Sequence, residues 1–447
     1  MKMMQCDRIL LACEEQNIFH KFFGERMTRL LVMIAIVILG IPAAVHAQDD
    51  VATKVEEMGS QIGGMDESIK ELQHDRDAMK KIKISGYIQM NWEKSEAMNG
   101  FGSDPYDAGD KVKSRFRLRR SRLKFQYSDT FGRMVVQGDF GNAKFELKDA
   151  YLEFDDPWIR MMSLRFGVFN RPTYEVEYSS SQRESVERSA VTRALYPGER
   201  DMGAMLTVSP EDMFTLQFAA FNNTQLGTFT QSNPNYGSEP LYFMARLTKS
   251  FTLGDLGLDV GAHARIGNVR LNTNSVIESD SPTSVGVVVD TTTYKVGDGL
   301  GRNWFGFEAQ LYYDLLGGMK IMGEYLMGQD VNQLSSSSAP SPARVRDFTG
   351  WYIMLVKNLG EEFQFAVKYD TYAPNSTLDY DKINTSSELT SGTLGVGLHN
   401  YSFDKVRLTL WYDVNTTKTN EFTSGSTKPF STDPIDNLLT FRVQYKF

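Results

Sequence analysis

Through residues 82–447 the chain repeats amphipathic runs of about ten residues, joined alternately by a tight turn and by a long polar stretch. Ser128-Asp129-Thr130, Ser209-Pro210-Glu211-Asp212, Leu315-Leu316-Gly317-Gly318 and Ser402-Phe403-Asp404-Lys405 are tight joints, whereas 170–200, 267–303 and 414–437 are long ones. One end of the molecule is therefore trimmed and the other elaborated. An antiparallel barrel of the bacterial outer membrane, with short periplasmic turns and longer external loops, has that asymmetry.

The runs have a period of two, which is a strand and not a helix. Leu439, Phe441, Val443, Tyr445 and Phe447 share one face of the last run, with Thr440, Arg442, Gln444 and Lys446 on the other. Phe363, Phe365, Val367 and Tyr369 alternate in the same way with Gln364, Lys368 and Asp370. A soluble sandwich also alternates, but its apolar face packs inward around a dry core. Here the apolar faces are bulky and aromatic, and about sixteen runs are present, which is an even number in the porin range. They begin near residues 82, 114, 131, 146, 163, 201, 213, 241, 257, 304, 319, 348, 362, 392, 405 and 437. The expectation is an all-β, transmembrane antiparallel barrel over 81–447.

A mean hydropathy of −0.35 excludes a bundle of membrane helices but suits a barrel whose lumen-facing half is polar. Residues 1–47 read as a signal peptide: Arg26 and Arg29 precede the apolar stretch Leu30–Ile41, and Ala43-Ala44-Val45-His46-Ala47 offers a cleavage site. Residues 1–26 are long and polar for an n-region, so Met27 is an alternative start. Both cysteines, Cys6 and Cys13, fall in the leader, which leaves the exported part without thiol or disulfide. The net charge of −8 becomes about −9 once the leader's five basic and four acidic residues are removed, so nucleic acid is not an expected partner.

Between the leader and the barrel, Val51, Val55, Met58, Ile62, Met65, Ile69, Leu72 and Met79 are spaced alternately by four and three, a heptad seam broken only at Arg76. Residues 48–80 thus form either a short N-terminal coiled-coil helix, as a parallel stalk under a trimer, or a loosely helical linker. Gly59, Gly63 and Gly64 weaken such a helix by about 1 kcal/mol each relative to Ala.

The most unusual run is Ser114–Phe125. Phe116 and Leu118 face lipid if Arg115, Arg117 and Arg119 face the lumen, yet Leu123, Phe125 and Tyr127 demand the opposite parity. An arginine on the lipid side costs about 2 to 4 kcal/mol at the midplane, so a β-bulge near Arg119-Arg120 is the cheaper solution. The result is an inward column of Arg115, Arg117, Arg119, Arg120, Arg122 and Lys124. Such a column either offers successive forked donors to phosphate or carboxylate, or pairs with the lumen-parity acids Asp139, Asp149 and Glu153. The 170–200 stretch is long enough to fold into the barrel as a constriction loop. Its five arginines and five glutamates cancel, and Ser179-Ser180-Ser181 provides either oxyanion donors or simple flexibility.

Over most of residues 82–447 the chain resembles the phosphate-selective porins O and P. The resemblance is carried by Arg117-Leu118-Arg119-Arg120-Ser121-Arg122-Leu123, Leu147-Lys148-Asp149-Ala150-Tyr151-Leu152-Glu153, Glu177-Tyr178-Ser179-Ser180-Ser181 and Ala194-Leu195-Tyr196-Pro197-Gly198-Glu199-Arg200-Asp201. Phe447 is similar to the terminal aromatic that the barrel-assembly machinery reads. The resemblance implies a homotrimer of 16-stranded barrels with an arginine ladder and a phosphate site at the constriction. It places the adjacent arginine pair on Arg119 and Arg120, the constriction aspartate on Asp149 and the loop serines on Ser180 and Ser181. The chain departs from that family in having few lysines in the constriction loop and no lysine-rich external vestibule.

No enzyme is expected. Only His74, His263 and His399 survive export, none in a metal-ligand spacing, and no Gly-x-Ser-x-Gly elbow occurs. A barrel hydrolase would require His263, which has lumen parity, within hydrogen-bond reach of an acid or a nucleophile. Asp104, Asp107 and Asp110 lack the EF-hand pattern, so neither a metal nor another cofactor is expected. The function expected is passive diffusion of small anions such as phosphate, or of hydrophilic solutes generally, across the outer-membrane lipid. The alternative is a structural or adhesive barrel whose stalk contacts the cell wall.

Overall fold

The computed structural model describes residues 76, 79–96, 114–141, 145–211, 213–222, 241–270, 275–277, 295, 298–314, 317–333, 341–376, 389–418 and 436–447. Sixteen antiparallel strands make the wall: β1 Ile82–Ser95, β2 Ser114–Ser128, β3 Gly132–Asp139, β4 Glu146–Asp155, β5 Met162–Asn170, β6 Arg200–Val208, β7 Thr215–Phe221, β8 Tyr242–Leu253, β9 Leu256–Ile266, β10 Asn303–Tyr313, β11 Met319–Gln333, β12 Ser341–Leu359, β13 Phe363–Ala373, β14 Ser391–Phe403, β15 Val406–Thr417 and β16 Leu438–Lys446. Each pairs with its neighbours in sequence, and β16 pairs back with β1 from Tyr87↔Lys446 to Ser95↔Leu438, which closes the barrel and removes both sheet edges. Phe447 extends this seam by exchanging two backbone hydrogen bonds with Gly86, each 3.1 Å.

Burial is inverted relative to a soluble sandwich. Along β16, Thr440, Arg442 and Gln444 are buried while Phe441, Val443 and Tyr445 are exposed. On β10 the same holds for buried Glu308 against exposed Phe305 and Phe307. Apolar side chains thus cover the outside and polar ones the inside, as lipid outside and polar groups within require. No helix among the described residues is long and apolar enough to cross a membrane.

The expected bulge in β2 is present: Gln89 pairs with Arg120 and Met90 with Leu118, so Arg119 is the extra residue. A second bulge, not foreseen, lies in β4, where Gln137 pairs with Asp149 and Gly138 with Leu147, skipping Lys148. It lets Leu147 face outward while Asp149, of the same parity, is buried inward.

Two expectations need correction. The twelfth strand begins at Ser341 and not near 348, because its ladder with β11 runs on through Val331↔Val345 to Gln333↔Ala343 despite Pro342. The interior is also not uniformly polar. Met205, Phe221, Tyr242, Met244, Trp304, Leu326 and Phe348 point inward and form an apolar cluster with Val176, Val191, Leu195 and Tyr196 of the β5–β6 connection. The leader, Asp104, Asp107 and Asp110, and all of 48–80 except Arg76, Met79 and Lys80 lie outside the described residues.

Candidate functional site

The connection from β5 to β6 carries two short helices, α1 Tyr174–Glu177 and α2 Ala190–Leu195, and α2 opens on Ser189, whose side chain accepts from the Thr192 amide. The return to β6 is made by Gly198 and Glu199, at φ +73° and +68°, so a left-handed pair reverses the chain. This segment lies inside the barrel because its side chains and carbonyls are answered by the inner wall nearly all the way round. Gln89 of β1 donates to the Ser180 carbonyl, Lys320 of β11 to Glu184, Arg407 of β15 to the Gln182 carbonyl, and Arg442 of β16 to the Val186 carbonyl. On the other side Trp304 donates to the Tyr196 hydroxyl at 2.7 Å, within the apolar cluster. The segment is a constriction loop fastened by packing on one side and by hydrogen bonds on the other.

Four loop carboxylates pair with cations of the wall: Glu177 with Arg246, Glu184 with Lys320, Glu175 with Lys368 and Glu187 with Arg119. Glu175 accepts from Lys368 at 3.2 Å, from the Ser189 amide at 2.9 Å and from the Ser189 hydroxyl. Burial alone would raise its pKa, but Lys368 and Ser189 outweigh that and hold it at about 2. Glu187 takes a forked pair of hydrogen bonds from Arg119 at 2.7 and 2.8 Å, while Arg120 and Arg442 stand 3.5 and 3.6 Å from its oxygens. Burial again opposes ionisation, and Arg119 and Arg120 pull its carboxyl well below the usual carboxylate range. One carboxylate therefore faces three guanidiniums. Buried beside it, Arg442 Nη2 has no hydrogen-bond acceptor among the described residues.

All six expected cations turn toward the lumen side of β2, and most are partnered. Arg115 and Arg117 both reach Glu93, at 2.9 and 2.8 Å. Arg122 pairs with Asp139 at 2.9 Å, as expected of a balanced wall. Asp149 and Glu153 serve other residues: Arg200 holds Asp149, and Arg133 and Arg165 share Glu153. Lys124 makes no hydrogen bond or ion pair among the described residues; it lines a cavity of about 340 Å³ with Arg122, Arg165, Arg188, Arg200 and Ser180. Asp149 and Glu177 are the acids in that lining. Ser180 shares a 2.5 Å hydrogen bond with the Tyr87 hydroxyl, and Ser181 lies 3.1 Å from Ser179 Oγ, so both loop serines are held in place and buried.

Glu93, Glu187 and Arg442 are the partners that matter most, and nothing in the local sequence pairs them with the basic column. Arg442 was visible as an inward residue of the last strand, but its meeting with β2 depends on barrel closure, which no local pattern encodes. His263 is also informative. Its Nδ1 lies 3.7 Å from Glu324 and 3.9 Å from Glu308, beyond hydrogen-bond reach of either acid, and its Nε2 is 3.4 Å from the Tyr196 hydroxyl.

No family model and no curated protein matches the chain. Solved structures do match in fold. OprB of Pseudomonas putida superposes with a TM-score of 0.54 at 10% identity, covering 83% of this chain and 96% of that one. The anion-selective porin from Comamonas acidovorans gives 0.52 at 11%, covering 82% and 99%. The outer membrane channel DcaP of Acinetobacter baumannii gives 0.52 at 12%, covering 82% and 97%. The chain has the fold of outer-membrane porins.

Proposed function

We propose that the protein is an outer-membrane porin that passes small hydrophilic solutes down their gradients and favours small anions, phosphate among them. The observation that carries this reading is the imbalance at Glu187, where Arg119, Arg120 and Arg442 converge on one carboxylate. A small oxyanion entering the constriction meets guanidinium forks that a single glutamate cannot saturate. Arg115 and Arg117 attract it from one side of the bulge, and Arg122 and Lys124 receive it on the other, in the cavity that Asp149 and Ser180 also line, with Ser181 beside Ser180 in the loop. Neutralised neighbours keep binding weak enough for release, which conduction needs.

The signal peptide, the 48–80 coiled coil and a homotrimer complete the proposal, on the strength of the leader's composition, the heptad seam and the resemblance to phosphate-selective porins. The test is the reversal potential in planar bilayers, compared between the wild type and Arg119→Ala/Arg120→Ala with phosphate added as blocker. Loss of two forked cations, each charge-assisted bond contributing about 1.5–3 kcal/mol, is expected to weaken phosphate block by about tenfold or more and to move selectivity toward cations. Identical selectivity and block in the two proteins would refute the assignment of the arginine pair.

A further inference from the structure

Away from the basic column, the wall holds a cluster that the porin reading does not use. Glu308 of β10 and Glu324 of β11 are direct cross-strand partners, and His263 of β9 lies opposite Gly306 of β10. Like charges directly opposite one another destabilise a sheet unless something offsets them. Arg246 offsets Glu308, at 2.6 Å, but it is shared with Glu177. Glu324 is 3% exposed, and no lysine or arginine among the described residues pairs with it. Among the described residues both its carboxylate oxygens lack a hydrogen-bond partner; the Glu175 backbone amide faces them without reaching hydrogen-bond geometry. His263 is equally buried, and its Nδ1 is likewise unpartnered.

The two unmet groups converge on Glu308, whose carboxylate is held by Arg246. Donor atoms of His263, Glu308 and Glu324 all lie within 4.8 Å of one another. Ligand bonds of about 2.0–2.2 Å place two donors of one tetrahedral ion roughly 3.3–3.6 Å apart, and Nδ1 stands 3.7 and 3.9 Å from the two carboxylates. A shift of a few tenths of an ångström brings the imidazole to ligand spacing from each carboxylate. Glycines make the room: a Cβ on Gly306 would come within 2.1 Å of the imidazole, and one on Gly261 within 2.7 Å of Glu308 Oε1. The outer contact also fits. A metal on Nδ1 leaves Nε2–H facing the Tyr196 hydroxyl, 3.4 Å away, and Tyr196 in turn accepts from Trp304. Metal-bound histidines are commonly oriented by such a second hydrogen bond.

We propose that His263, Glu308 and Glu324 bind a divalent transition-metal ion of the zinc class, which locks β9–β11 together and seats the end of the constriction loop through Tyr196. One imidazole and two carboxylates suit zinc or a similar first-row ion, whereas calcium takes six to eight oxygens. The proposal is independent of which solute the pore passes.

The test uses the full-length, tag-free protein in detergent, stripped with chelator, loaded with zinc chloride and desalted before metal analysis. One zinc per chain is expected in the wild type. Glu324→Gln, which removes charge at constant volume, and His263→Gln are each expected to lose at least nine-tenths of it while keeping the heat-modifiable mobility of a folded barrel. A wild type that retains no zinc overturns the site. Equal retention by folded variants overturns it as well, since the ions then sit elsewhere. If a variant does not fold, zinc X-ray absorption of the loaded wild type decides: one imidazole nitrogen with two or three oxygens supports the site, and an all-oxygen shell contradicts it.

Discussion

Arg119 on β2 and Glu187 in the constriction loop are joined by two parallel hydrogen bonds, Nε to Oε1 at 2.7 Å and Nη2 to Oε2 at 2.8 Å. The bulge in β2 makes this possible, because the extra residue it inserts is Arg119 itself. A sequence irregularity at the wall thus becomes a tether for the loop and a seat for the surplus of positive charge.

Removing the counter-charge should sharpen the pore's preference. In Glu187→Gln the three guanidiniums lose their one carboxylate, so anion permeability relative to cations is expected to rise about two- to threefold and phosphate block to strengthen. The measurement is the zero-current potential across a potassium chloride gradient. The loop should remain in place on its other ties, to Lys320, Gln89 and Arg442, so a fall in anion preference would argue against the Glu187 cluster as the selective element.

The loop's grip has a defined dependence on pH. Glu175 has its folded pKa depressed to about 2, from an ordinary 4.5. A depressed carboxylate contributes stability that is complete above the ordinary value and is lost as pH falls through the folded one. Single-channel current is therefore expected to be steady from pH 7 to about 5, with flicker growing progressively between about 4.5 and 2 as the Lys368 tie is lost. Flicker that begins near neutrality would point to another group.

Closure of the barrel depends on one close approach. A Cβ on Gly86 would lie 2.4 Å from the Arg122 carbonyl and 2.7 Å from the Phe447 ring. Gly86→Val should force this seam apart, costing about 1–3 kcal/mol or more by overpacking. A clear drop in the temperature at which the barrel loses its heat-modifiable mobility checks this. An unchanged transition would mean that the terminal aromatic does not seal the first strand.

Much of the wall was legible from the chain alone, since a period of two with a lipid-facing apolar set admits one register per strand. Fifteen of the sixteen strands start within two residues of the expected positions, and the bulge at Arg119 followed from the parity conflict between Leu118 and Leu123. The same conflict between Leu147 and Asp149 was there to be read, but both residues have odd numbers and so looked in phase. The site was less legible. Its key meetings, Arg442 with Glu187 and Trp304 with Tyr196, join residues more than a hundred positions apart, and the loop's fold into an apolar inner sector depends on inward residues such as Trp304 and Met244 that read as ordinary strand hydrophobics.

The most direct test of the account is the reversal potential of the wild-type protein in a planar bilayer across a tenfold potassium chloride gradient, followed by addition of millimolar phosphate. A potential on the chloride side, with current reduced by phosphate, is the result the basic constriction predicts. A pore that prefers potassium and ignores phosphate, or a barrel that passes no current, would contradict it.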